Sequence, residues 1–187
     1  MNKVVKRIIS GFVIGYMGLS AARETEERIR STILVRIPQL ITWSENNDFN
    51  QPDISYRLCI YRDRTYFNFI RDYLGNDEAT VKGQPIELSF TRKLSDLQNC
   101  HVSYVGNIST KDINRIVEAK LLESTIVVAS SEQSAERGLH VRLFVGSAQT
   151  IDIELNQTAF MAHGSEPRVS FLKHVNKVYG QSAQENL

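Results

Sequence analysis

Charge of one sign is the first thing this chain lacks: Lys+Arg 22 against Asp+Glu 21 leaves a net +1 over 187 residues. Proteins that grip a phosphate backbone concentrate Lys and Arg, so nucleic acid is excluded as a first-choice partner. The phosphate cradles GxGxxG and GxxxxGKS/T and the nucleophile elbow GxSxG do not occur. The four histidines, His101, His140, His163 and His174, show no HxH or HxxxH spacing and no cysteine partner, so no motif places a metal. His101 and His140 fall in segments that read as strands, where a hydrogen-bonded structural histidine is the common case. The acid pairs Glu26-Glu27 and Asp77-Glu78 stand in polar sequence at element ends and read as solvated surface, not as a cleft-held acid and base. Internal repeats and low-complexity linkers are missing too. With 42% hydrophobic and 23% charged residues, the composition is that of one globular domain bearing no cofactor or catalytic signature.

What is present is unevenly placed. Lys3, Lys6 and Arg7 precede the twelve uncharged residues Ile8 to Leu19, Ser20-Ala21-Ala22 follows, and no acid occurs before Glu24. This is the n-region, h-region and small-residue exit of a secretory signal. The run falls short of the roughly 20 apolar residues of a spanning helix, and it contains Ser10, Gly11, Gly15 and Gly18. We expect cleavage after Ala22 and a product without a membrane anchor, since no cysteine lies near the site to take a lipid. A buried N-terminal helix is the alternative, and it would not need three leading cations. Without residues 1–22 the 22 basic residues lose three, leaving 19 against 21 acids and a net −2.

Cys59 and Cys100 both lie in the part to be exported, toward an oxidising compartment where thiols pair. One disulfide is expected, and two separate buried thiols are the alternative. Closing a loop of about 40 residues would stabilise the fold by about 3–4 kcal/mol in the chain-entropy model.

The spacing of Ile29, Ile33, Leu34, Ile37, Leu40 and Ile41 predicts an amphipathic helix within residues 26–43. Pro38 should kink or break it, because its ring leaves the Leu34 carbonyl without a backbone donor. Beyond a polar connection at 45–55, Tyr56 to Tyr61 reads as a strand, Thr65 to Leu74 as a helix ending at Gly75, and Pro85 to Phe90 and Cys100 to Val105 as strands. Ser109 to Asp112 opens a helix with Ile113, Ile116, Val117 and Leu121 inward, and Thr125 to Ala129 is a buried strand. The order β-α-β-β-α-β predicts an α/β fold, a mostly parallel sheet with helices on both faces. Leu139 to Val145 and Thr150 to Leu155 alternate around Gly146-Ser147-Ala148, an antiparallel hairpin signal. A closing helix is expected from near Ser165, with Pro167 in its first turn and Phe171, Leu172, Val175 and Val178 inward. We thus read a domain over 23–180 and a flexible tail over 181–187. Arg62 and Arg64, with Asp63 between them, follow the strand YRLCIY, where a doubly wound sheet places its ligand crevice. A small anionic ligand there is one expectation; a charged β-α loop is the other.

Taken in order, these pieces resemble the YfiR/HmsC family of bacterial periplasmic proteins over nearly all of the exported part. Ile29-Arg30-Ser31-Thr32-Ile33-Leu34 leading to Ile41-Thr42-Trp43 is similar to the family's first helix and its Trp. Leu58-Cys59-Ile60 and Asn99-Cys100-His101 resemble its two strand cysteines. Arg137-Gly138-Leu139 resembles its glycine turn, and Ile153-Glu154-Leu155-Asn156 with Thr158-Ala159 its strand-Asn-helix element. The chain departs from the pattern at Ser44, where Pro is usual, at Pro38 inside the helix, and at Leu139, where a second glycine is often found. The second cysteine pair of some members is missing.

The resemblance implies a non-enzymatic protein that binds the periplasmic sensing domain of an inner-membrane diguanylate cyclase and holds it inactive, lowering cyclic di-GMP and with it exopolysaccharide and biofilm. Such an inhibitor must bind one state of the cyclase better than the other, since equal affinity shifts nothing. A homodimer is implied by the resemblance alone. Two further readings stay open: a periplasmic small-molecule sensor acting through another partner, and an exported enzyme without a recognisable motif.

Overall fold

A computed structural model describes residues 5–75, 79–146 and 150–180, with side chains from residue 23 onward. The expected tail 181–187, residues 147 and 148 of the hairpin turn, and the side chains of the expected leader lie outside the described residues. In chain order the elements are α1 (Val5–Leu40), β1 (Ile41–Thr42), β2 (Tyr56–Tyr61), α2 (Arg64–Leu74), β3 (Thr80–Val81), β4 (Gln84–Thr91), β5 (Val102–Gly106) and α3 (Thr110–Glu118). Then come β6 (Ile126–Ala129), β7 (Val141–Val145), β8 (Ile151–Asn156), α4 (Gln157–His163), β9 (Glu166–Pro167), α5 (Val169–Leu172) and β10 (Lys177–Tyr179). Among the described residues no helix is long and apolar enough to cross a membrane.

Eight strands form one sheet in the order β10-β8-β7-β6-β5-β2-β4-β3, and β1 pairs with β9 as a separate two-stranded ribbon. The central pairs β4/β2, β2/β5, β5/β6 and β6/β7 are parallel, and β7/β8 is the antiparallel hairpin read from the alternation. Successive side chains of a strand point to opposite faces, and the two cores follow that rule. Leu58, Ile60, Val102, Tyr104, Ile126 and Val128 pack with Leu34 and Ile37 of α1 and Tyr66 and Ile70 of α2. Cys59, Tyr61, Val105, Val127 and Ala129 pack on the other face with Ile113 and Ile116 of α3. Helices therefore cover both faces, as a buried parallel sheet requires.

Local chemistry sets the helix starts. Asp63 and Ser109 accept from the backbone N–H groups of Tyr66 and Asp112, capping α2 and α3. Gly75 closes α2 at φ +74°, a conformation that costs other residues more.

Three expectations change, one of them on α3, where Ile113 and Ile116 are buried but Val117, expected inward, is exposed. Pro38 does not end α1, which continues to Leu40. The Leu34 carbonyl that the proline leaves free accepts instead from the Tyr56 hydroxyl, 3.0 Å away and fully buried. Tyr56→Phe should therefore cost about 1–3 kcal/mol, the desolvation of an orphaned carbonyl. In a Pro38→Ala background the helix supplies its own donor, so the same change should cost clearly less; a double-mutant cycle by urea melting measures the difference.

The helix after the hairpin is α4, opened directly by Asn156, whose side chain accepts from Ala159 N. The stretch from Ser165 instead forms β9, one turn of α5 and then β10. Asn176 imposes that ending: its N–H donates to the Ile153 carbonyl, and its side-chain oxygen accepts from Ile153 N at 2.8 Å, laying the chain alongside β8. Val178 and Leu172 are accordingly 46% and 40% exposed rather than inward.

Candidate functional site

Cys59 on β2 and Cys100, just before β5, are joined in a disulfide across 41 residues, with Cα atoms 6.0 Å apart. Both are buried. Cys59 Sγ lies 3.0 Å from Ser89 Oγ on β4, and a cleft of about 240 Å³ bounded by Arg57, Asp96 and Asn99 opens beside the bond.

The chain runs from β2 through α2 to β4 on one side, and from β5 through α3 to β6 on the other, so β2/β5 is the point where the winding reverses. A cleft of about 270 Å³ sits there, bounded by Asp63, Asn107 and Ser130 at the strand ends, by Tyr66 and Tyr104, and by Arg23, Glu26, Glu27 and Arg30 of α1. Arg30 is paired with Glu26, and its guanidinium lies 5.9 and 5.8 Å from the Tyr66 and Tyr104 ring centres. Burial pushes both tyrosine hydroxyls up from their ordinary range, so they stay neutral. The crevice expected after YRLCIY thus faces Asp63. Arg62 and Arg64 stand outside its lining: Arg62 covers the Tyr61 ring at 4.8 Å and Arg64 the Phe90 ring at 3.6 Å.

A third concavity is apolar. A groove of about 540 Å³ runs between Ile29, Ile33 and Leu40 of α1 and Ile151, Ile153 and Phe171 of the C-terminal third. Among the described residues its ionisable lining residues are Arg36 and His174, with no carboxylate. Ile29 at its mouth is 39% exposed. The helical spacing of Ile29, Ile33 and Leu40 was legible in the sequence. That β8 and α5 leave this face open is set by the tertiary fold.

A polar anchor holds the connection between α1 and β2. Asp48 accepts from Arg57 Nη2 at 2.7 Å and from His101 Nε2 at 2.6 Å. His101 Nδ1 accepts from Arg57 N at 3.0 Å, which assigns the ring proton to Nε2. Burial raises the Asp48 carboxyl, but the bonds from Arg57 and His101 outweigh it and leave it below its ordinary range. For His101 burial wins over the Asp48 bond and lowers it, so the pair is a neutral imidazole against a carboxylate. Among the described residues no group of three or more His, Cys, Asp or Glu side chains could hold a metal ion.

A search of curated proteins found no match. Among solved structures, a conserved domain protein from Vibrio cholerae O1 biovar El Tor matches with a TM-score of 0.51 and 13% identity, covering 81% of this chain. This chain spans 59% of that protein's length, and at such identity the likeness concerns the fold. The profile of the YfiR/HmsC-like family, a regulatory and non-catalytic family of cyclic di-GMP signalling, matches residues 27–173. That span holds the Trp43 segment, the cysteine pair, the hairpin and the strand-Asn-helix element, and the chain belongs to the YfiR/HmsC-like family.

Proposed function

We propose that the chain is exported, loses residues 1–22, and acts in the periplasm by binding the sensing domain of an inner-membrane diguanylate cyclase and holding it inactive. The apolar groove between α1 and the β8/α5 face is the observation behind this reading. An exposed apolar channel bordered, among the described residues, by Arg36 and His174 and by no carboxylate fits an amphipathic protein segment with acidic flanks. The acids Glu24, Glu26 and Glu27 support cleavage after Ala22, because they would stand in the first turn of a helix beginning at Arg23, where negative charge is favourable. Mass spectrometry of the periplasmic fraction should find a chain starting at Arg23.

The groove itself is tested with Ile29→Glu. The side chain is partly exposed, so folding stability should change by no more than about 0.5 kcal/mol. Affinity for the purified cyclase sensing domain should fall by about 1–3 kcal/mol, or roughly 5–150-fold, and cellular cyclic di-GMP should rise toward the level of a deletion strain. Unchanged binding and unchanged cyclic di-GMP would remove the groove from the interface. A second reading, a small-molecule sensor, is favoured by the 270 Å³ cleft at the reversal of strand order. A thermal-shift screen separates the two, because a ligand of that cleft raises the melting temperature with no cyclase present.

A further inference from the structure

Three of the four histidines meet at one seam of the fold. On one side is the segment from β1 to Asn50, with Trp43 and Phe49 buried in it. On the other are the end of α4 and β9. Trp43 touches His101 and His163 edge-on, with ring centres 5.9 and 5.8 Å apart, and His163 in turn lies 5.7 Å from His140. His101, His140 and His163 are 2%, 0% and 7% exposed. The seam is also held by the two residue pairs Ile41/Pro167 and Thr42/Glu166, by a bond from Arg168 N to the Leu40 carbonyl, and by the shared apolar cluster of Ile41, Trp43 and Phe49 with Phe160 and Phe171.

Among the described residues, the surroundings offer an added proton no unengaged carboxylate. His163 Nδ1 shares a hydrogen bond with Ser165 Oγ, and His140 Nδ1 accepts from Val127 N while its Nε2 faces the Ala159 backbone without completing a bond. Asp48, the carboxylate in contact with the cluster, already accepts from Arg57 and His101. Glu87 on β4 acts on His101 only through space, and the Glu166 side chain on β9 is exposed. The remaining charged neighbours are cations: Arg57 on β2, Lys82 over the Phe49 ring at 5.5 Å, and Arg168 after β9, which acts on Lys82 through space.

We propose that this seam is an acid-operated latch: a proton taken by His163 parts the Trp43 segment from the α4–β9 segment while the parallel sheet stays folded. Burial and then the nearby His101 lower His163 to about 4 in the closed form, and burial holds His140 well below its ordinary value. A solvated histidine titrates near ~6.5, so the open form binds the proton more tightly. As pH falls from about 6.5 to about 4, the ratio of open to closed rises by roughly 80-fold, toward a limit of roughly 300-fold below pH 4 relative to neutral pH; above that window protonation no longer favours opening. The groove residues Leu40 and Phe171 flank the seam, so on the docking reading above acid would also weaken partner binding. The test uses the isolated chain, so its failure is distinct from failure of that reading.

Trp43 is the single tryptophan, which makes it a clean probe. Acrylamide quenching of Trp43 should increase between pH 6.5 and 4 with far-UV circular dichroism retained. His163→Phe, which keeps an aromatic ring against Trp43, should move that rise down by at least one pH unit or abolish it, and His163→Gln provides the same test if the first variant does not fold. His174→Gln should leave it in place. Quenching that stays flat in the wild type, that rises only together with loss of the circular dichroism signal, or that is identical in wild type and the foldable His163 variant, overturns the latch.

Discussion

Replacing Cys59 and Cys100 together by alanine should lower stability by about 3–4 kcal/mol, since the cross-link removes the closure entropy of a loop spanning 41 residues from the unfolded ensemble. At the size of this chain that corresponds to a drop of roughly 10 °C in melting temperature. Reductant should reproduce the shift in the wild type and leave the double variant unmoved, which separates loss of the cross-link from loss of sulfur packing. The bond also lies where its removal has most to disturb. Cys59 is on β2, which pairs with both β4 and β5 at the reversal of strand order, and Cys100 leads directly into β5. Loosening this junction should lower the amount of folded protein and, on the proposed function, raise cyclic di-GMP in cells. An unchanged melting temperature after reduction would show that neighbouring contacts hold the junction without the bridge.

The parts of the fold legible in the sequence are those governed by short-range rules. The four central strands are continuous apolar or alternating runs, Ser109 caps α3 through a bond three residues on, and Gly75 ends α2 by its positive φ. Elements whose form depends on distant partners were not legible. The ribbon β1/β9 joins Ile41 to Pro167, and β10 is extended because Asn176 bonds to Ile153. Neither pairing leaves a periodic signal. The Pro38 rule correctly identified the carbonyl that loses its donor, but only the fold reveals that Tyr56 replaces that donor. The candidate sites follow the same division. The crevice after β2 was foreseeable from topology, whereas its lining by Asp63 rather than Arg62 and Arg64 depends on which way the loop turns, with Arg62 at φ +61°. His101, Trp43 and His163 are far apart in the chain, and their meeting is a property of the packed seam.

One charged pair in the hairpin should, when broken, have an effect as large as that of the disulfide. Arg142 and Glu154 occupy polar positions in the alternating hairpin strands. In the structure they are direct cross-strand partners, with N–O at 3.2 Å and side chains only 14% and 11% exposed. Lys177 of β10 lies opposite Glu154 on its other side, and the Arg142 guanidinium lies 3.8 Å from the Phe144 ring centre. Arg142→Met should therefore cost about 3–5 kcal/mol, because it leaves the Glu154 carboxylate buried with its principal counter-charge gone. Most of that cost is the penalty of an unmatched charge, so the double change Arg142→Met with Glu154→Leu should be close to neutral. Urea denaturation of both single variants and the double decides between the two accounts. Costs that simply add would mean the pair is better hydrated than its burial implies, and that the hairpin face carrying β10 opens readily to water.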